Sequence, residues 1–200
     1  MLRRARAVAA LVVVAGCHRH EDKPPPPPPP DVVPHVTGPI AIDGEWDESD
    51  WANRALRYVL TDPTGAPARP ASELRLLRDD RDLYVALYAA DENIETGDHF
   101  DLTLGYLTLH LAATGAVQPT VPGLRVKVGL DEGTLDMPRD DDEEWVVELA
   151  VPLATFAGAR ELPVKAARCD TPKGGIPRCG AFASGLGNAR PLLLVYPTTQ

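Results

Sequence analysis

No stretch of this 200-residue chain is apolar for the roughly 20 residues that a helix needs to span a bilayer, which makes a transmembrane anchor the poorer reading of it. Aromatic residues are scarce at 6 %, with three tryptophans, so few rings remain for ligand stacking once a core is filled. Basic residues are outnumbered, 20 Lys and Arg against 29 Asp and Glu for a net charge of −9, and they are scattered rather than gathered into a patch. That excludes a nucleic-acid partner. No Gly-x-Ser-x-Gly elbow surrounds Ser49, Ser72 or Ser184, and there is no His-Glu-x-x-His run. Carboxylate pairs will arise by chance among 29 acidic residues, so they do not argue for a glycosidase. The expected protein is noncatalytic.

What is present begins at the N-terminus. Residues 1–16 have a basic start (Arg3, Arg4, Arg6), a short apolar run from Ala7 to Ala15 and a small-residue end. This is the order of an export signal. Val14-Ala15-Gly16-Cys17 resembles the site at which lipoprotein signal peptidase cuts before a cysteine, so Cys17 is expected to carry lipid and hold the chain to a membrane. An ordinary secretory signal with an incidental cysteine is the competing reading. Loss of the three arginines would take the net charge from −9 to −12. His18 stands after the cysteine, where an acidic residue would mark inner-membrane retention, and this points to the cell envelope at an outer membrane. Residues 17–38 read as a disordered proline-rich tether: Pro24 to Pro30 hold φ near polyproline II and offer no N–H donors. At about 3.1 Å per residue that run reaches about 20 Å.

Residues 39–200 suit one domain with one core. Their apolar pattern has period two. Leu83, Val85, Leu87 and Ala89 alternate with Tyr84, Ala86 and Tyr88, and Trp145, Val147, Leu149 and Val151 repeat the pattern, as do Leu124, Val126, Val128 and Leu130. Further strands are expected at 39–42, 56–60, 73–78, 100–111, 162–168, 178–183 and 192–196. In the 100–111 segment the apolar phase changes from even to odd, so Gly105-Tyr106 is a bulge or a turn. Residues 47–55 and 153–158 each suit one helical turn. The expected fold is all-β, an antiparallel β-sandwich. Cys169 and Cys179 bracket a turn-rich stretch between two of these strands, and export would place them in an oxidising compartment. A disulfide is expected, with a zinc site as the rival.

Three stretches carry a resemblance. The first is Ile40-Ala41-Ile42-Asp43-Gly44-Glu45-Trp46-Asp47-Glu48-Ser49-Asp50-Trp51, an opening strand followed by Asp-Gly, Asp-Glu and a tryptophan. Gly44 permits a tight turn, the carboxylates are placed to cap the helical turn after it, and Trp51 is expected to reach back into the core. The second runs from Glu73 through Asp79-Asp80-Arg81-Asp82 into Leu83-Tyr84-Val85-Ala86, a hairpin with an acidic turn. The third, Glu144 to Leu153, is a late strand ending at Pro152. In this order and spacing they resemble the family 9 carbohydrate-binding module and the wider DOMON-like sandwiches, with a jelly-roll or immunoglobulin-like architecture.

The resemblance implies a noncatalytic domain whose partner is a polysaccharide or other glycan, bound by exposed aromatic rings and hydrogen-bonding side chains. Trp51 and Trp145 fall within the fold motifs and are expected in the core, which leaves Trp46 and Tyr106 as candidate sugar contacts. Tyr58, Tyr88 and Phe182 are further rings, and a framework role competes for each. Some relatives hold calcium. Asp91, Asp98 and Asp101, with Glu92, offer hard oxygen ligands, as does the run Asp140 to Glu144, and solvated turns are the plainer reading. Haem ligation by Met137 and His110 competes poorly with ordinary roles for both. An envelope scaffold that binds protein rather than sugar is the alternative function.

Overall fold

The computed structural model describes residues 31–131, 134–137, 143–171, 175–183 and 190–193, with 181–183 and 190–193 given by backbone alone. The export signal, Cys17, the proline run and Asp140 to Asp142 lie outside the described residues.

Among the described residues twelve strands are formed: β1 (Asp31–Val32), β2 (Leu56–Val59), β3 (Ser72–Arg78), β4 (Asp82–Ala90), β5 (His99–Leu104), β6 (Leu107–Ala112), β7 (Val117–Gln118), β8 (Arg125–Leu130), β9 (Glu144–Pro152), β10 (Glu161–Asp170), β11 (Arg178–Ala183) and β12 (Arg190–Leu193). One α-helical turn, α1 (Ser49–Asn53), and a 3₁₀ turn at Leu153–Phe156 sit where the sequence suits helical turns. Five strands pair antiparallel in the order β2-β3-β4-β9-β8. The other seven form a second sheet, β1-β12-β10-β5-β6-β7, with β11 also on β10. Every pairing is antiparallel except that of β1 with β12. The molecule is an all-β sandwich.

Alternation decides which residues meet between the sheets. Leu74 and Leu76, Leu83 to Ala89 at odd positions, and Trp145 to Val151 at odd positions face Phe100, Leu102, Leu104, Leu109, Leu111, Leu162, Val164 and Ala166 across one core. In β4 and β9 most of the intervening residues are buried as well, so these central strands are covered on both faces. The cover on the second face is the segment before β2. Ile40 and Trp51 pack on Leu77, Tyr84, Ala86 and Ala150, with Val36, Ile42, Trp46 and Ala55 around them.

That cover explains two departures from the sequence reading. Residues 39–42 have the alternation of a strand but form none, because Ile40 and Ile42 lie across a face whose strands are already paired, and the Ala41 N–H donates to the Glu48 carboxylate at 2.6 Å. Residues 31–38, expected in the tether, pack on the sandwich: Val33 is 1 % exposed, the Val36 N–H donates to the Arg78 carbonyl at 2.8 Å, and the Arg78 N–H returns to Pro34 at 3.0 Å. Gly105-Tyr106 is a turn, with Leu104 paired to Leu107 and Gly105 at φ 62°. Cys169 and Cys179 are joined in a disulfide across β10 and β11.

Candidate functional site

The first motif builds a ledge against the five-stranded sheet. Gly44 turns the chain at φ 94°, and a Cβ there would meet the Gly129 backbone nitrogen at 2.6 Å, so a side chain is excluded by conformation and by space. The turn is held by Glu148, an acid on the outer phase of β9 that is fully buried. Its carboxylate accepts from the Asp43 N–H at 3.2 Å, the Gly44 N–H at 3.1 Å and the Trp51 indole N–H at 3.0 Å. Burial pushes Glu148 up to about 7 against these donors. Trp51 and Trp145 are both core, at 1 % and 0 % exposed.

The expected capping by the motif's carboxylates is replaced by tie-down of the cover. Glu48 precedes α1 without a side-chain cap bond. Asp50 instead accepts from the Thr37 N–H and from the Thr37 hydroxyl, at 2.5 and 2.7 Å, and these bonds hold its carboxyl below the usual range. Both carboxylates therefore secure residues 37–41 on the sheet.

Trp46 follows this turn and is half-buried. Its ring lies parallel to Tyr88 at a centroid distance of 4.8 Å and an interplanar angle of 11°, while the Arg75 guanidinium sits 4.0 Å from the ring centroid. Arg75 is fixed in turn by Glu73 at 3.1 Å and the Trp51 carbonyl at 3.1 Å. Burial, with Glu144 beside the hydroxyl, pushes Tyr88 up to about 12. The result is a rigid, partly open aromatic surface. Beside it runs a cleft of about 270 Å³ lined by Gly44 to Asp47, Gly129 to Asp131 and Glu144 to Val146. Its carboxylates are Glu45, Asp47, Asp131 and Glu144.

A larger cleft of about 850 Å³ lies at the β3–β4 turn, lined by Asp79 to Asp82, Tyr84 and Arg125 among others. Its one ring, Tyr84, is 5 % exposed and donates its hydroxyl to Asp79 at 2.8 Å, leaving no face for stacking. Chemistry therefore favours the smaller cleft over the larger.

Tyr106 does not join Trp46. It is 74 % exposed at the β5–β6 turn and donates its hydroxyl to the Thr155 carbonyl, at the end of the sandwich that holds the β3–β4 turn. Trp46 belongs to the other end, beside Leu130 and Glu144. Tyr58 donates to Asp31 at 2.6 Å and is partly packed into the core, while the Phe182 side chain lies outside the described residues.

The calcium candidates divide. Asp91 and Asp98 come together with Asp170, whereas Asp101 stands on the outer face of the other sheet near His99 and the disulfide. The Asp91 group surrounds Arg168, which is 3 % exposed and donates to Asp91 at 2.7 Å, to Asp170 at 3.3 Å and to the Ala90 carbonyl at 2.9 Å. Asp98 accepts from the Thr171 N–H at 2.6 Å and the Glu95 N–H at 2.9 Å. A guanidinium already supplies the positive charge, so this cluster does not suit calcium. Sequence reasoning missed Arg168 in this role, though its place on the inward phase of Leu162, Val164 and Ala166 was the signal.

Neither a known sequence family nor a curated protein matches this chain. Among the solved structures that resemble it are the following two. A family 9 carbohydrate-binding module from Caldicellulosiruptor kristjanssonii, solved with cellotriose, superposes with a TM-score of 0.58 at 16 % identity, covering 84 % of this chain and 95 % of that one. A protein of Bacteroides uniformis named for carbohydrate binding gives a TM-score of 0.50 at 12 % identity, over 81 % of this chain and 97 % of that one. At such identities the likeness speaks for architecture, and the architecture of this chain is that of the family 9 carbohydrate-binding module.

Proposed function

We propose that this chain is a noncatalytic carbohydrate-binding lipoprotein, anchored through Cys17 in the cell envelope and binding glycan at the Trp46 cleft. The observation that carries the reading is the Trp46 ring, braced by Tyr88 and Arg75 at the mouth of a carboxylate-lined cleft. The part of the Trp46 ring that Tyr88 and Arg75 leave exposed is held in place, so it contacts a sugar without first losing side-chain entropy. Glu45, Asp47, Asp131 and Glu144 accept hydrogen bonds from hydroxyls and repel anionic sugars, so a neutral polysaccharide is the fitting ligand. The fold shared with a cellotriose-bound module supports the same class.

The test is a polysaccharide pull-down and calorimetry on the Cys17→Ser chain, with Trp46→Ala beside it. Binding of a neutral glycan that falls about tenfold or more in Trp46→Ala is expected, a loss of about 1.4 kcal/mol or more, as for removal of an aromatic anchor. Normal binding by Trp46→Ala would remove that residue from the site, and no binding to any glycan would favour the scaffold reading.

A further inference from the structure

We propose a second site, on the outer face of the seven-stranded sheet, that binds a divalent transition-metal ion of the zinc–copper class through His99 and His110, with Asp101 as the orienting carboxylate. Strand pairing assembles it. Asp101 on β5 lies directly opposite His110 on β6, and His99 is two residues along β5 on the same face. The two imidazole rings are 4.2 Å apart between centroids, tilted by 41°.

Hydrogen bonds set both tautomers for ligation. The His99 Nδ1 lies 2.8 Å from the Gly97 carbonyl, which can only accept, so Nδ1 carries a proton and in the neutral ring Nε2 is left with the lone pair. The His110 Nδ1 lies 3.0 Å from an Asp101 carboxylate oxygen, which fixes the same tautomer there. Neither Nε2 has a hydrogen-bond partner among the described residues. Metal-binding histidines use this arrangement, one ring nitrogen donating to a carbonyl or carboxylate while the other binds the ion.

The donor set selects the ion. Ligand atoms of His99, Asp101, Cys169 and Cys179 lie within 4.8 Å of one another, but the two sulfurs are bonded to each other and offer no thiolate. Two imidazole nitrogens, with water for the remaining positions, suit Zn²⁺, Cu²⁺ or Ni²⁺ in preference to Cu⁺ or Ca²⁺. His110 and Asp101 keep 46 % and 44 % of their side-chain surface exposed, which leaves room for water to complete the coordination.

Zinc titration of the full-length Cys17→Ser chain by calorimetry, with Cu²⁺ electron paramagnetic resonance for nitrogen coupling, tests the proposal. One equivalent is expected to bind; His99→Ala and His110→Ala should each weaken it at least about tenfold, and Asp101→Asn about 10–100-fold, the range for orienting partners. A His18→Ala/His20→Ala chain is expected to bind unchanged, which would assign the ion to His99 and His110. In the unsubstituted His99 and His110, zinc should shift the Nε2 resonances, a readout independent of whether any variant folds. Binding that survives His99→Ala/His110→Ala, binding lost with His18 and His20, or Nε2 resonances unmoved by saturating zinc would each overturn the assignment.

Discussion

Glu148 shows how one side chain sets both a turn and a pH dependence. It is the common acceptor for Asp43, Gly44 and Trp51, yet burial raises it from an unfolded value near 4.5 to about 7. A raised carboxyl contributes stability in its protonated form, fully present below about pH 4.5 and lost as pH rises through about 7. Asp91, pushed up to about 6, acts in the same sense. The melting temperature should therefore fall from pH 4.5 to 7.5, and Glu148→Gln should flatten that slope; equal slopes for the two proteins would refute this role. Arg168 is the second such residue. Replacing it with Met leaves Asp91 buried without its partner, which should cost about 3–5 kcal/mol in chemical denaturation. Both residues were visible only indirectly, because a strand phase says where a side chain points and not what waits there. Glu148 lies between Val146 and Ala150 on the outer phase, and its burial depends on a segment about a hundred positions earlier in the chain.

At the scale of elements, strands were legible wherever the apolar residues kept period two, including β4 and β9, whose outer faces the structure buries as well. In β5 and β6 the alternation is clean, and its phase change at Gly105-Tyr106 marked the turn between them. Residues 39–42 alternate equally well but lie as a cover, since the same pattern serves any extended segment with one dry side. The limits of the cover were not legible either: Val33 is buried close behind the proline run, and nothing local distinguishes it from tether. The disulfide ties β11 to β10 over a sequence separation of 10. Cys169→Ala/Cys179→Ala should lose about 2–3 kcal/mol by the loop-closure argument. Amide exchange is expected to quicken in β11 and stay slow in β4 and β9, which are buried on both faces. Uniform quickening would mean that the bond supports the whole sandwich.

For the molecule as a whole, the Arg168 arrangement predicts that chelation by EDTA leaves the melting temperature unchanged in the absence of transition metal; a fall reversed by calcium would contradict it. The Cys17→Ser chain should leave the membrane fraction and keep the same melting temperature as the anchored protein. Continued membrane association would remove the anchor. The candidate site was legible in part. The freest tryptophan was identified by elimination, whereas its bracing by Tyr88 and Arg75 depends on neighbouring strands and on a cover that no motif announces. The different surroundings of the tryptophans also make the protein its own optical probe. Trp51 and Trp145 are sealed inside, so a soluble collisional quencher such as acrylamide should act mainly on Trp46. A bound glycan shielding that ring would show as reduced quenching in unlabelled protein.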